Sequence, residues 1–175
     1  MTTALVLAGG GLTGIAWELG VLLGLRENGV GIYQGADLII GTSAGSVVGT
    51  QLSQGRDISE LFQRQLEPDT NEISPHIDIE TLTQVYSNMR GGGTQTDEQR
   101  QAIGNIALNA STVEWPTRRA VIQGRVGTDE WPTGNLVLTT IDAHTGEFIT
   151  WTKDSGVGLI DAVASSCAVA GVWPC

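Results

Sequence analysis

The strongest constraint on the fold is the stretch Asp37-Leu38-Ile39-Ile40-Gly41-Thr42-Ser43-Ala44-Gly45-Ser46-Val47-Val48-Gly49-Thr50. A short apolar run breaks at a glycine, one serine follows, and small residues continue with helical character. Gly41-x-Ser43-x-Gly45 permits a sharp strand-to-helix turn that exposes the serine hydroxyl at its apex, with the helix N-terminus beneath it. Read as a nucleophile elbow, it makes Ser43 the candidate nucleophile and Gly41, Thr42, Ala44 and Gly45 the turn around it. The same five residues also suit a glycine-rich turn with an ordinary N-cap serine, so the elbow alone leaves both readings open.

A second glycine-rich turn comes earlier. Residues 4–8 are continuously apolar and run into Gly9-Gly10-Gly11-Leu12-Thr13-Gly14, the pattern of a buried strand ending in a loop that exposes its backbone. Two such turns, one after each of the first two strands, can lie side by side at one edge of a parallel sheet, where α/β sites form. A serine attacking a carbonyl needs hydrogen-bond donors about 3 Å from the developing oxyanion, and the N–H groups of Gly9, Gly10 and Gly11 are candidates for that hole. The helix starting at Gly11 would add its positive end. Gly9-x-Gly11-x-x-Gly14 also satisfies the dinucleotide fingerprint, so a Rossmann-like dinucleotide-binding module is the rival reading. That arrangement wants an acid at the far end of the second strand to hold a ribose, whereas Asp37 precedes this strand and its far end carries Gly41-Thr42-Ser43.

At 175 residues the chain fits one domain, residues 1–175, with a core large enough to need no covalent staple. A net charge of −10 without a basic cluster argues against nucleic acid as a partner and against attraction to anionic lipid by charge. Membrane contact would have to be apolar and transient. Cys167 and Cys175 have neither the spacing nor nearby histidines for a metal site or disulfide framework, so no metal and no cofactor is expected. The N-terminus lacks a basic, long apolar signal pattern, and the default compartment is the cytoplasm.

Ile15–Leu25 is apolar on nearly every side and reads as a buried helix that stops near Asn28-Gly29, with Glu18 expected at its surface edge or paired. Residues 56–133 read as a helical cap or insertion, with helical runs at Asp57–Leu66, Asp78–Met89 and Asp97–Leu108 and a turn at Gly91-Gly92-Gly93-Thr94. Glu-Trp-Pro-Thr occurs at residues 114 and 130, two copies that do not make a repeat architecture. Strands follow at Asn135–Ile141 and Glu147–Trp151 around a turn at Asp142–Gly146, then a small-residue helix at Gly158–Ala168. His76 and His144 both read as loop histidines, and neither fits a serine-histidine arrangement.

Leu5-Val6-Leu7-Ala8-Gly9-Gly10-Gly11-Leu12-Thr13-Gly14 followed by Gly41-Thr42-Ser43-Ala44-Gly45 resembles the start of a bacterial-type patatin-like phospholipase domain. Asp142–Glu147 resembles that family's strand-turn-strand segment, and residues 162–174 resemble the segment before its last catalytic motif. The resemblance implies a three-layer α/β/α fold with a mainly parallel central sheet and a helical cap. It also implies a lipid or lysolipid ester hydrolase that works through a Ser-Asp dyad, Ser43 being the nucleophile and Gly9–Gly11 the oxyanion loop. Thr13 stands where many relatives carry Arg or Lys, and Ala170 where they often carry Pro. The family's aspartate lies in an Asp-Gly motif, and this sequence has no Asp-Gly pair. The expectation is therefore a chain lacking the C-terminal part of the fold, with its base beyond Cys175, inactive by itself and prone to dimerise through the surface this exposes. A non-catalytic remnant of the fold is the further alternative.

Overall fold

Four short apolar runs and seven helices are laid out by a computed structural model that describes residues 2–68, 72–75, 77–89 and 94–175. The order is β1 (Ala4–Leu7), α1 (Gly11–Glu27), β2 (Leu38–Gly41), α2 (Ala44–Ser53), α3 (Ile58–Arg64), α4 (Ile79–Met89), α5 (Asp97–Asn109), α6 (Trp115–Val126), β3 (Leu136–Ile141), β4 (Phe148–Trp151) and α7 (Leu159–Ser166). The strands form one sheet in the order β1-β2-β3-β4. The first three are parallel, each joined to the next through helices, and β4 returns antiparallel through the tight turn after β3.

Register decides which side chains meet. Leu5, Ile39 and Leu136 form one row and Leu7, Gly41 and Leu138 the next, all on the same face because side chains alternate along a strand. Helix α2 lies across this face, buried from Ala44 to Leu52. Helix α1 packs on α2 and α3, and α6 packs on α2 and α7. Thr140 Oγ1 donates to the Ser165 carbonyl (3.1 Å) and Trp151 Nε1 to Ser165 Oγ (3.0 Å), which ties α7 to the same side. The core is this layer, with Leu19, Val48, Ile122, Leu138, Leu159 and Val163 fully enclosed. On the opposite face the row Val6–Ile40–Val137 stays open, and Val6 is 67% exposed.

The mixed α/β architecture with a mainly parallel sheet matches the expectation. Helix α1 does not match the expected buried cylinder. It buries one stripe, Ile15, Glu18, Leu19 and Leu22, and leaves Trp17 67% exposed, because α2 and α3 pack against one side of it only. It ends at Asn28, as expected, with Gly29 at φ 78°.

Between residues 56 and 133, α3 begins where Asp57 accepts hydrogen bonds from the N–H groups of Ser59 and Glu60. Thr96 and Gln99 close a capping box at the start of α5. Helices α3 and α6 contribute Ile58, Leu61, Ile122 and Val126 to the core, whereas α4 and α5 pack on each other beside the β3–β4 turn. The first Glu-Trp-Pro-Thr starts helix α6 and the second lies in a loop, so the two copies share no structural role. His76 and Gly91–Gly93 lie outside the described residues.

Candidate active site

The elbow is built by exclusion of side chains. A Cβ on Gly41 would lie 2.7 Å from the carbonyl carbon of Gly45 and from Ser46 Cα, and one on Gly45 would lie 2.5 Å from Leu7 Cβ. Only glycine lets α2 start this close to the ends of β1 and β2. The chain then turns through Ser43 at φ 53° and ψ −113°, the one non-glycine residue with positive φ among the described residues. Such a conformation costs about 1–3 kcal/mol and persists only where its surroundings enforce it.

Five hydrogen bonds do so. Thr42 N–H donates to the Leu7 carbonyl (3.0 Å) and Gly45 N–H to the Ala8 carbonyl (2.9 Å), which fastens the elbow to the end of β1. Ser43 N–H donates to Ser166 Oγ (2.8 Å) at the end of α7. The Ser43 carbonyl accepts from Ser46 Oγ (2.6 Å) and from Cys167 Sγ (3.3 Å). The backbone of Ser43 is therefore fully engaged, while its half-buried hydroxyl makes no hydrogen bond to a described residue.

The first glycine-rich loop faces this hydroxyl. A Cβ placed on Gly9 would come within 3.4 Å of Ser43 Cβ and 3.9 Å of Ser43 Oγ. Among the described residues no acceptor takes the N–H of Gly9, Gly10 or Gly11, and α1 begins at Gly11 with no side-chain cap. Free donors thus lie beside a free hydroxyl. Two cavities border the elbow. One of about 330 Å³ is lined by Ser43, Gly11, Arg118 and Trp173. The other, of about 700 Å³, is lined by Thr42 and Ser166 and by the apolar side chains of Val85, Ile103 and Phe148. Val169 borders both.

The patatin-like phospholipase family profile matches residues 5–175. The chain belongs to the patatin-like phospholipase family. Among solved structures it is similar to the type III effector protein ExoU, at 18% identity and a TM-score of 0.50 over 97% of this chain and 40% of that one. It is also similar to full-length ExoU of Pseudomonas aeruginosa in complex with SpcU, at 21% identity and a TM-score of 0.51 over 95% of this chain and 38% of that one. At these identities the likeness establishes the shared fold, and the patatin-like chain spans about two-fifths of each ExoU chain. A comparison with curated protein sequences gives no significant match. The family is one of lipid hydrolases in general terms, and no described helix of this member is long and apolar enough to cross a membrane.

In this patatin-like chain Gly9 lies against Ser43, Gly11 lines the same cavity, and Gly41, Thr42, Ala44 and Gly45 form the turn around the serine, while Gly10 packs on Gly14. His144 is exposed in the β3–β4 turn, where it lines the larger cavity and not the one that holds Ser43. There Asp142 accepts from the N–H groups of His144 (2.8 Å) and Thr145 (2.9 Å), which holds its carboxyl below the usual range and makes it the turn residue expected. The sole carboxylate among the described residues lining the Ser43 cavity is Glu72, and both Nε (2.7 Å) and Nη2 of Arg125 hold it.

One group near the site departs from expectation, and a second was not anticipated. Glu18, expected at a surface edge or paired, is 5% exposed, and its Oε2 has no partner. Burial raises its pKa to about 7, against a smaller opposing pull from the Ala8 N–H, one residue before the glycine loop. Arg118 gave no signal in the sequence reading, and it is 2% exposed on α6. A stripe of Arg118, Val121, Ile122 and Val126 behind Pro116 in the first helical turn was the available sign of a packed helix there.

Proposed function

We propose that this chain carries the nucleophile and oxyanion half of a serine acyl hydrolase acting on a lipid or lysolipid ester. The observation that supports this most is the strained Ser43, its backbone fully bonded and its hydroxyl free, lying against Gly9 of a loop whose Gly9–Gly11 N–H groups have no acceptor among the described residues. Ser43 Oγ attacks the ester carbonyl while its proton passes to an aspartate. The carbonyl π electrons move onto the oxygen, which the glycine N–H groups stabilise. Collapse expels the alcohol, which takes that proton, and leaves an acyl-Ser43 ester. Water then repeats the sequence and releases the fatty acid. The apolar cavity of about 700 Å³ next to Thr42 and Ser166 suits an acyl chain. The cycle uses no cofactor, and no aspartate is among the described residues lining the Ser43 cavity.

Labelling with a fluorophosphonate tests the nucleophile. Oxyanion-hole and binding contributions alone give roughly 10³–10⁴-fold over water, so labelling of the 175-residue chain at Ser43 is expected. Ser43→Ala should abolish it. Labelling unchanged in that variant would overturn the proposal, and so would absence of labelling together with thermal stabilisation by NAD, which would favour the dinucleotide reading of Gly9-x-Gly11-x-x-Gly14.

A further inference from the structure

Arg118 poses a problem of physical chemistry. Its guanidinium is 2% exposed, and neither Nε nor Nη1 has a hydrogen-bond partner. A buried cation costs several kcal/mol unless it is paired or hydrogen-bonded. What Arg118 has instead is the face of Trp173, 3.8 Å from Cζ to the ring centroid. That stack is worth about 0.5–2 kcal/mol and leaves the planar fork of N–H donors unused.

Among the described neighbours, Glu72 acts on Arg118 through its charge alone, without a hydrogen bond to Nε or Nη1. Arg125, which lines the same cavity, already holds Glu72, and burial keeps the nearby Cys167 thiol neutral by pushing its pKa up. The described lining thus carries two cations and one carboxylate, a positive excess inside a chain of net charge −10. The excess faces the cavity that holds Ser43, close to the N-termini of α1 and α2, whose partial positive charge has the same sign. Among charged groups, a guanidinium fork fits carboxylate and phosphate best, through two parallel N–H···O bonds.

We propose that Arg118 is the specificity-determining residue of an anion subsite beside Ser43, one that takes the phosphate group of the ester substrate. The proposal rests on the acyl hydrolase reading for the identity of the ester, and on the cavity alone for the anion. Trp173 fixes the plane of the fork, α6 fixes its position through the packing of Val121, Ile122 and Val126, and a phosphate in the cavity supplies the anion that Arg118 lacks. An ester whose phosphate sits in this cavity and whose acyl chain enters the apolar one spans Ser43 in a single orientation.

Calorimetry in the Ser43→Ala chain separates binding from turnover. The probes are dihexanoyl phosphatidic acid below its micellar concentration, dihexanoylglycerol of the same chain length, and inorganic phosphate. The chain should prefer the phosphatidic acid over the neutral glyceride by at least ~10-fold, and Arg118→Met should weaken phosphatidic acid binding by ~30-fold with little change for the glyceride. Arg118→Lys, which keeps the charge but loses the fork, should fall between. Equal losses for both lipids would reveal a merely structural arginine and overturn the proposal. Inorganic phosphate binding as tightly as the phospholipid would overturn the substrate assignment. If circular dichroism shows Arg118→Met unfolded, the preference of the parent chain and the Arg118→Lys comparison decide the matter, and no preference overturns it. Loss of fluorophosphonate labelling with this binding pattern intact would remove the nucleophile reading and leave the subsite standing.

Discussion

Replacing Glu18 with glutamine isolates the energetic effect of one buried carboxyl. Glu18 is 5% exposed, has an orphan Oε2, and titrates near pH 7 in place of its ordinary 4.5. The folded chain therefore holds a proton that the unfolded chain has already released over that interval. Stability from this group is fully present below pH 4.5 and is lost as pH rises through about 7. A shift of this size corresponds to about 3 kcal/mol above both values. Solvent screening makes this an upper value. Glutamine keeps the shape and an oxygen acceptor for the Ala8 N–H but carries no charge to bury.

Thermal unfolding of the parent chain and of Glu18→Gln, followed by circular dichroism from pH 4.5 to 8, reads this directly. The two should melt together at pH 4.5 and separate as pH rises, the variant being more stable by roughly 6–12 °C at pH 8, at about 2–4 °C per kcal/mol for a chain of this size. Other carboxyls, such as Asp57 and Asp142, whose pKa values are lowered, weaken both proteins as the solution becomes acidic and cancel in the difference. A gap that is independent of pH, or one that widens toward acid, would refute the assignment of a buried, raised carboxyl at this position.

Two substitutions probe the elbow itself. Gly45→Ala forces a Cβ into the backbone of Leu7, and we expect it to cost at least ~2 kcal/mol, read as a lower urea midpoint; an unchanged midpoint would mean that α2 and β1 are not in this contact. Ser166→Ala removes the acceptor for the Ser43 N–H, and we expect a loss of ~1 kcal/mol in stability and a roughly tenfold slower fluorophosphonate reaction as the serine relaxes; equal rates would show that α7 does not brace the nucleophile.

The elbow was legible because its requirement is local. Gly41 and Gly45 are needed wherever a helix starts within van der Waals distance of the strand ends, whatever the rest of the molecule does, and after β1 a Cβ on Gly10 would lie 2.7 Å from Gly14 Cα while Gly11 has positive φ. Helix starts at Asp57 and Asp97 were readable for a similar reason, since a short acidic side chain satisfies the open N–H groups of a first turn or complements its dipole within three residues of itself. The turn at Asp142 belongs with them. Where local chemistry determines the backbone, one sequence suffices.

Burial is a different matter, because neighbours decide it. Helix α1 is apolar nearly all round, so its pattern names no inner face, and the packing of α2 and α3 alone turns Glu18 inward and Trp17 outward. Helix α6 poses the opposite difficulty: its buried stripe runs through a cation, and an arginine at the position a Leu or Ile would fill breaks the apolar period on which recognition depends. A buried arginine of this kind is tolerated in the native state only because Trp173 and the cavity beside Ser43 surround it. The residue least visible to periodicity is therefore the one whose environment says most about what the cavity is built to hold: a charge placed where packing would favour a hydrocarbon reports a requirement of the site and not of the core.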